Sequence, residues 1–378
     1  MQGKLIQLQT QGSENFHTNL NAKFSFFKNV YKRYNHFVIE SEDQNFVQNI
    51  KFNSKIKLKI DKKGDLMYKT YLQLTLPGES GSTAKWVNRI GFKLIKSIEL
   101  IIGSKVIEKQ TGLWMYLWTE LTHTSEKKSF LDHMIGTTSE NINGLSCSES
   151  HDLLIPLNFF YCKHIFNALP LLKLLNDDIF LVFNIEKKSS CIQSGTPPNG
   201  DLTNSKLWID FIYLDDNEKT QFFYNDLEYI YDITEHVKTT LKTNGMNNIS
   251  LHFRKPSKEI IYVTQSNTFD TNIIDKFTGF NKVTKSQLKI NSANIYSSGY
   301  VNSIFTNKIV PFKNHTGNPN KNINCIPFSV YPESIDFSGV IYLNSVKNIN
   351  LIVETNSNTI DVFSVCYSKF KIKNNKLE

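Results

Sequence analysis

Residues 51–60 read Lys-Phe-Asn-Ser-Lys-Ile-Lys-Leu-Lys-Ile. The even positions Phe52, Ile56, Leu58 and Ile60 are apolar, while Lys51, Lys55, Lys57 and Lys59 take odd ones. Successive side chains of a strand point to opposite faces, so this stretch is expected to be a half-buried antiparallel strand. The four lysines form its outer face. A phosphate-binding ladder would read the same way, but the solvated face of an ordinary sheet is the simpler reading.

Working outward, comparable runs recur at 71–76, 98–102, 179–185, 207–214, 260–264, 340–343, 350–353 and 360–367. Clusters of Gly, Pro, Asn and Ser bound many of them, such as Pro77 to Ser82 and Ser194 to Gly200, which marks turns. The class is all-β. Helical signals are few. Leu113, Trp114, Leu117, Trp118 and Leu121 form one apolar stripe on a helix that begins just after Gly112. A second helix is expected over Asp216 to Tyr224, with Asp215 or Asp216 as its cap and Phe222 and Phe223 packed inward. The strands fall into two sets, at about 26–215 and 225–370. A chain of 378 residues holds more strands than one sandwich, so two sandwiches in tandem are expected. The two halves share no visible sequence repeat.

Composition excludes several function classes. The 40% hydrophobic content, with 27 Phe and 16 Tyr, argues against a disordered chain. There is no run of about 18 apolar residues, so no spanning helix is expected, and Met1 to Gly12 is polar, unlike a signal peptide. The net charge of +8 suggests a polyanion partner, yet only Arg33, Arg89 and Arg254 among the 43 basic residues are arginine. Recognition of bases and phosphates leans on the arginine fork, so the dispersed lysines read as a solvated surface and no specific nucleic-acid binding is expected. Cys147, Cys162, Cys191, Cys325 and Cys366 are odd in number and widely spaced. They are expected to be reduced, structural thiols.

The usual reactive patterns are missing from the sequence: no GxSxG, no HExxH and no GxxxxGK[ST]. Gly103-Ser104-Lys105 lies between two strand runs and reads as a hairpin turn rather than a phosphate loop. Cys162-Lys163-His164, with Cys147 and His151 upstream, lacks the second ligand pair that a metal site needs. Asp177-Asp178 and Asp215-Asp216 are adjacent pairs that suit turns and caps. No catalytic, cofactor-binding or metal-binding residues are therefore expected, and no enzyme activity. Most Phe and Tyr residues are in register with strand cores. A glycan-binding jelly-roll surface protein remains an alternative.

Specific strings carry a resemblance. Phe26 to Phe37, followed by Glu40-Ser41, resembles the N-terminal signature of the major capsid proteins of nucleocytoplasmic large DNA viruses. In the same order come Trp86 to Gly91, Leu94 to Gly103, and Gly112, Trp114, Trp118, Glu120 and Leu121. Ile155-Pro156-Leu157, Phe159 to Cys162 and Ala168 to Leu171 resemble the family's mid-chain block. Leu207 to Asp215 with Glu218, and Glu228-Tyr229-Ile230, are similar to its junction. Lys255 to Ile260 with Gln265, Ser329 to Glu333 and Ser338-Gly339 continue the series. The resemblance spans about residues 17–370. Departures are Asn21-Ala22-Lys23 for a usual Asn-Pro-Gln, Lys32 and Tyr34 for a common arginine and histidine, and Lys371 to Glu378 for a Gly-rich ending. The chain is also short for the family, with its surface loops the expected place of the missing residues.

The resemblance implies an all-β fold of two tandem eight-stranded jelly-roll β-sandwiches with a few short helices. The expected divisions are a polar N-terminal arm at 1–25, set off by its lack of sustained strand alternation, a first jelly roll at 26–216, and a second at 217–378 that starts with the short connecting helix. The resemblance further implies a structural capsid protein whose homotrimers form pseudo-hexagonal capsomers of an icosahedral virion shell, assembled in the host cytoplasm. The expected partners are the chain itself, neighbouring capsomers, minor capsid proteins and the inner viral membrane. No cofactor is implied. A transient assembly scaffold of the same fold is the alternative within this class. Asn248 and Asn314 begin N-x-S/T sequons in expected loops.

Overall fold

A computed structural model of the chain describes residues 36–137, 144–242, 245–266, 277–296, 299–319 and 321–377. The arm at 1–25 and the Phe26 to Phe37 signature lie outside the described residues, save for His36 and Phe37. The Lys-Ile alternation forms a strand at Lys55–Lys59 with Leu58 buried and Lys55, Lys57 and Lys59 exposed. Lys57 Nζ lies 3.6 Å from the Phe180 ring centroid, so its stem covers apolar surface while its charge meets water.

Eight strands of the first half form its two main sheets. They are β1 Phe37–Asn45, β2 Lys55–Lys59, β3 Leu66–Leu76, β4 Ile95–Ile102, β5 Lys105–Gln110, β6 His151–Pro156, β7 Ile179–Ile185 and β8 Thr203–Leu214. They pair antiparallel as two sheets, in the orders β1-β8-β3-β6 and β2-β7-β4-β5. The expected hairpin at Gly103-Ser104 joins β4 to β5, with Ile102 opposite Lys105 and Gly103 at φ +60°. Two helices follow β5, α1 at Gly112–Thr122 and α2 at Ser125–Met134. The helix α3 at Asp216–Tyr224 leads into the second half.

Eight further strands repeat the pattern. They are β9 Leu227–Thr240, β10 Gly245–Ser250, β11 Pro256–Gln265, β12 Val283–Ile290, β13 Ala293–Asn294, β14 Asn324–Pro327, β15 Ile349–Thr355 and β16 Thr359–Lys373. Their sheets run β9-β16-β11-β14 and β10-β15-β12-β13. Each half thus orders its strands first-eighth-third-sixth and second-seventh-fourth-fifth, the double-sheet arrangement of a jelly roll. No ladder among the described residues joins a strand of one half to a strand of the other. The fold is a double jelly roll, as expected.

The sheet β9-β16-β11-β14 is buried on both sides. Ile260, Tyr262, Ile360 and Val362 face the core of the second sandwich. Their neighbours Ile261, Val263, Phe363 and Val365 join the core of the first half. This is why β11 reads as an almost continuous buried run instead of an alternating one. Among the described residues of 37–378, which form one compact unit, the core of the first sandwich therefore extends onto the seam-facing side of this sheet, while the second sandwich keeps a core of its own on the other side.

Several expectations are corrected. The run at 340–343 is a two-residue strand, Ile341–Tyr342, followed by a 3-10 turn, because only Leu343 of that run reaches the core. Phe222 packs against Leu66 and Ile212, but Phe223 is exposed. Asp215 caps α3 by position, but its carboxylate accepts from Asn217 Nδ2 at 3.2 Å instead of capping the helix backbone. Asn248 lies on β10 rather than in a loop. Asn314 ends a short helix, α4 Val310–Asn314, and donates Nδ2 to the Val330 carbonyl at 2.9 Å.

Candidate functional site

The groups weighed as ligands or catalysts in the sequence stay apart. Cys162 Sγ sits 3.4 Å from Thr70 Oγ1, and burial pushes its thiol up to about 12. Burial likewise pushes the Cys147 thiol up to about 11. His151 donates Nε2 to the Ser146 carbonyl at 2.8 Å, and His164 stacks on Phe166. Asp177 accepts from Leu377 N–H at 2.7 Å and Asp178 pairs with Lys59 at 2.7 Å, both in structural roles.

What the structure brings together is the seam between the two sandwiches. Helix α1 lies in it. Its first residue is Gly112, where a Cβ would fall 1.8 Å from the Phe92 carbonyl oxygen, so only glycine fits. Thr111 caps the helix by accepting from Trp114 N–H at 3.2 Å. The expected single stripe is only half of what is covered, because Met115, Tyr116 and Thr119 are buried as well. Residues both on the stripe and off it pack on the second half. The Trp114 ring lies 5.4 Å from Phe363 of β16, and Tyr116 lies 5.6 and 5.9 Å from Phe277 and Phe280. At the helix end, Gly317 N–H of the second half donates to the Leu121 carbonyl at 2.6 Å, which satisfies a carbonyl the helix leaves open.

A second contact is aromatic. Phe160, from the mid-chain block, meets Tyr231 of β9 at 4.5 Å and Phe370 of β16 at 5.7 Å. Behind it, Glu108 is fully enclosed. Its carboxylate accepts from Phe160 N–H at 2.9 Å and from Gln110 Nε2 at 2.5 Å, and burial raises its pKa to about 7.

The strings that were separate in sequence meet in two ionic clusters. Arg89 forks onto Asp132 at 2.7 and 3.1 Å and reaches Glu120 at 3.1 Å, while Lys128 holds the other Glu120 oxygen at 3.0 Å. This ties the Trp86 to Gly91 string to α1 and α2. In the second half, Lys258 is fully buried and donates to both oxygens of Asp232 at 3.0 and 2.9 Å and to the Ser334 carbonyl at 2.6 Å. Next to it, His315 bridges Glu259 at 2.9 Å and Glu333 at 3.0 Å. Burial opposes a charge on His315, and the two carboxylates outweigh it and keep the ring protonated. Sequence reading found Lys258, Glu259 and Glu333 within quoted strings but had no signal that they converge.

Among the described residues, the surface carries large apolar groups that are mostly exposed. Phe130 is 76% exposed, Phe312 74% and Phe337 66%, with Phe166 and Tyr331 close behind. Isolated exposed apolar residues are ordinary, but rings this size on loops and short helices suit contacts between subunits.

A family profile described as "Major capsid protein N-terminus" matches residues 25–215. The major capsid protein of Pyramimonas orientalis virus is 30% identical over 399 aligned positions, covering 98% of this chain and 97% of that protein. That of Phaeocystis pouchetii virus is 29% identical over 305 positions, where 70% of this chain spans 59% of the relative's length. Among solved structures, the PBCV-1 capsid protein superimposes with a TM-score of 0.83 at 18% identity, covering 94% of this chain and 99% of that one. The Faustovirus major capsid protein gives 0.76 at 10% identity, covering 98% and 96%. Two jelly rolls of like strand order, fused through a shared apolar seam, define the class as a double jelly-roll shell protein. The chain belongs to the major capsid protein family of nucleocytoplasmic large DNA viruses, the structural proteins of their capsids.

Proposed function

We propose that three copies of this chain associate into a homotrimeric capsomer with a pseudo-hexagonal outline, and that such capsomers tile an icosahedral shell. The observation that carries this reading is the fusion of two sandwiches with the same strand order through a shared apolar seam. A rigid subunit of this kind presents two similar modules, so a threefold arrangement presents six. We place the division between the modules at 216/217, with 1–25 as an arm that contacts neighbouring capsomers or minor capsid proteins.

Function on this reading lies in surfaces, not in catalysis. The exposed rings at Phe130, Phe312 and Phe337 supply apolar contact area, and the lysine-rich outer faces keep the free capsomer soluble. Proximity of the shell to an inner membrane, and assembly in host cytoplasm, belong to the same proposal. The test is the solution mass of the purified chain by light scattering. A species of three times the 43.6 kDa chain mass is expected, and a monomer at every concentration and salt would oppose the trimer.

A further inference from the structure

The buried cluster around His315 has the composition of a metal site. Glu259, His315 and Cys325 each offer one ligand atom, and these atoms all lie within 4.8 Å of one another. Three elements supply them: β11 carries Glu259, the residue after α4 is His315, and β14 carries Cys325. The strand register explains the meeting. Cys325 pairs with Ile261, two residues along β11 from Glu259, so the thiol and the carboxylate share a face. All three residues are buried.

Two further features go beyond proximity. His315 Nδ1 is held by Glu333 at 3.0 Å, leaving Nε2 pointed at Glu259. A carboxylate behind the second ring nitrogen is the usual support of a metal-bound histidine, because it fixes the ring and strengthens the donor. In addition, Glu259 Oε1 is buried with no hydrogen-bond partner among the described residues, although Oε2 is engaged. A buried carboxylate oxygen without a partner is rare and calls for an ion or a proton to explain it.

We propose that Glu259, His315 Nε2 and Cys325 Sγ bind one divalent transition metal, zinc by the N/O/S character of the donors, with Glu259 Oε1 or a water as the fourth ligand. On binding, the thiol and the Nε2–H each release a proton to solvent, while Nδ1–H stays on Glu333. The inner set of metal, thiolate and Glu259 carboxylate is then neutral, and the remaining negative charge sits on Glu333, whose side chain reaches solvent. The metal would pin α4 and β14 onto β11, beside the point where Gly317 meets α1. Sequence spacing does not reveal the set, since Glu259 and His315 are 56 residues apart.

The test is metal content and cobalt(II) titration of the full-length folded protein. Expected are one zinc per chain after purification without chelator, and one equivalent of cobalt(II) giving a thiolate-to-cobalt charge-transfer band. That band should vanish in Cys325→Ser and weaken sharply in Glu259→Gln. Chelation should lower the thermal midpoint of the unsubstituted protein and leave that of Cys325→Ser unmoved. If either variant fails to fold, the zinc X-ray absorption spectrum of the unsubstituted protein decides, with one sulfur ligand expected. Absence of stoichiometric zinc and cobalt binding, a zinc shell without sulfur, or a cobalt spectrum unchanged in Cys325→Ser would each overturn the proposal. The histidine would then be a purely ionic bridge between two carboxylates.

Discussion

Replacing Lys258 with methionine removes a fully buried cation held by four contacts. Its ammonium lies 2.9 and 3.0 Å from the two Asp232 oxygens, 2.6 Å from the Ser334 carbonyl and 4.6 Å from the Tyr367 ring centroid. At 2.9 Å the pair attraction is about 6 kcal/mol for an effective dielectric of about 20, and burial of both groups offsets most of it. The loss on substitution is governed by what remains. Asp232 is only 5% exposed and would keep a charge with no counterion, so Lys258→Met should cost about 3–5 kcal/mol. A second substitution, Asp232→Asn, should recover part of that loss by removing the stranded charge. The assay is guanidinium unfolding followed by far-UV circular dichroism and tryptophan fluorescence, with both variants compared with the unsubstituted chain at pH 7. A single variant within about 1 kcal/mol of the unsubstituted chain, or a double variant no better than the single, would refute the reasoning.

Other consequences follow from the seam. Glu108 has its pKa raised by burial from 4.5 to about 7. The folded state therefore holds this proton more tightly than the unfolded one, and stability should fall by up to about 3 kcal/mol as pH rises from 4.5 through 7. Glu108→Gln should flatten that profile and raise the unfolding midpoint at pH 8 but not at pH 4.5, and an unaltered profile would assign the dependence elsewhere. Gly112→Ala should cost about 3 kcal/mol, the upper end for overpacking, since its methyl group would collide with the Phe92 carbonyl; thermal melting checks it, and a neutral result contradicts the close approach. Deletion of residues 1–20 should leave single capsomers intact by solution mass and reduce their assembly into shells, and unimpaired shell assembly would remove the role given to the arm.

The strands were legible wherever one face is wet and the other dry. Lys55–Lys59 is legible from its lysines, because period-two burial leaves period-two composition, whereas Ile179–Ile185, buried at five of its seven positions, is legible as a short continuous apolar run. The limits of α3 were equally clear, since Asp215 and Asp216 mark its start. Legibility failed where burial has a tertiary cause. β11 is covered by both sandwiches, so only its apolar centre at 260–264 stood out. α1 shows one stripe because Tyr116 is covered by Phe277 and Phe280 of the second half, far away in sequence. Helix α2 was missed altogether: among its residues only Leu131 is buried, and a polar helix fastened by Asp132 and Lys128 leaves no periodic signal. The ionic clusters escaped for a related reason. Arg89 and Asp132 are 43 residues apart, and spacing rules address ligands that are near in sequence. The quoted strings held their members all along, but not the knowledge that they touch.

Negative-stain micrographs of the purified chain test the central claim most directly. The account predicts class averages of one particle with threefold symmetry and a hexagonal outline, its six corners alternating between first and second sandwiches. Particles of single-chain size, or rings of any other symmetry, would contradict it.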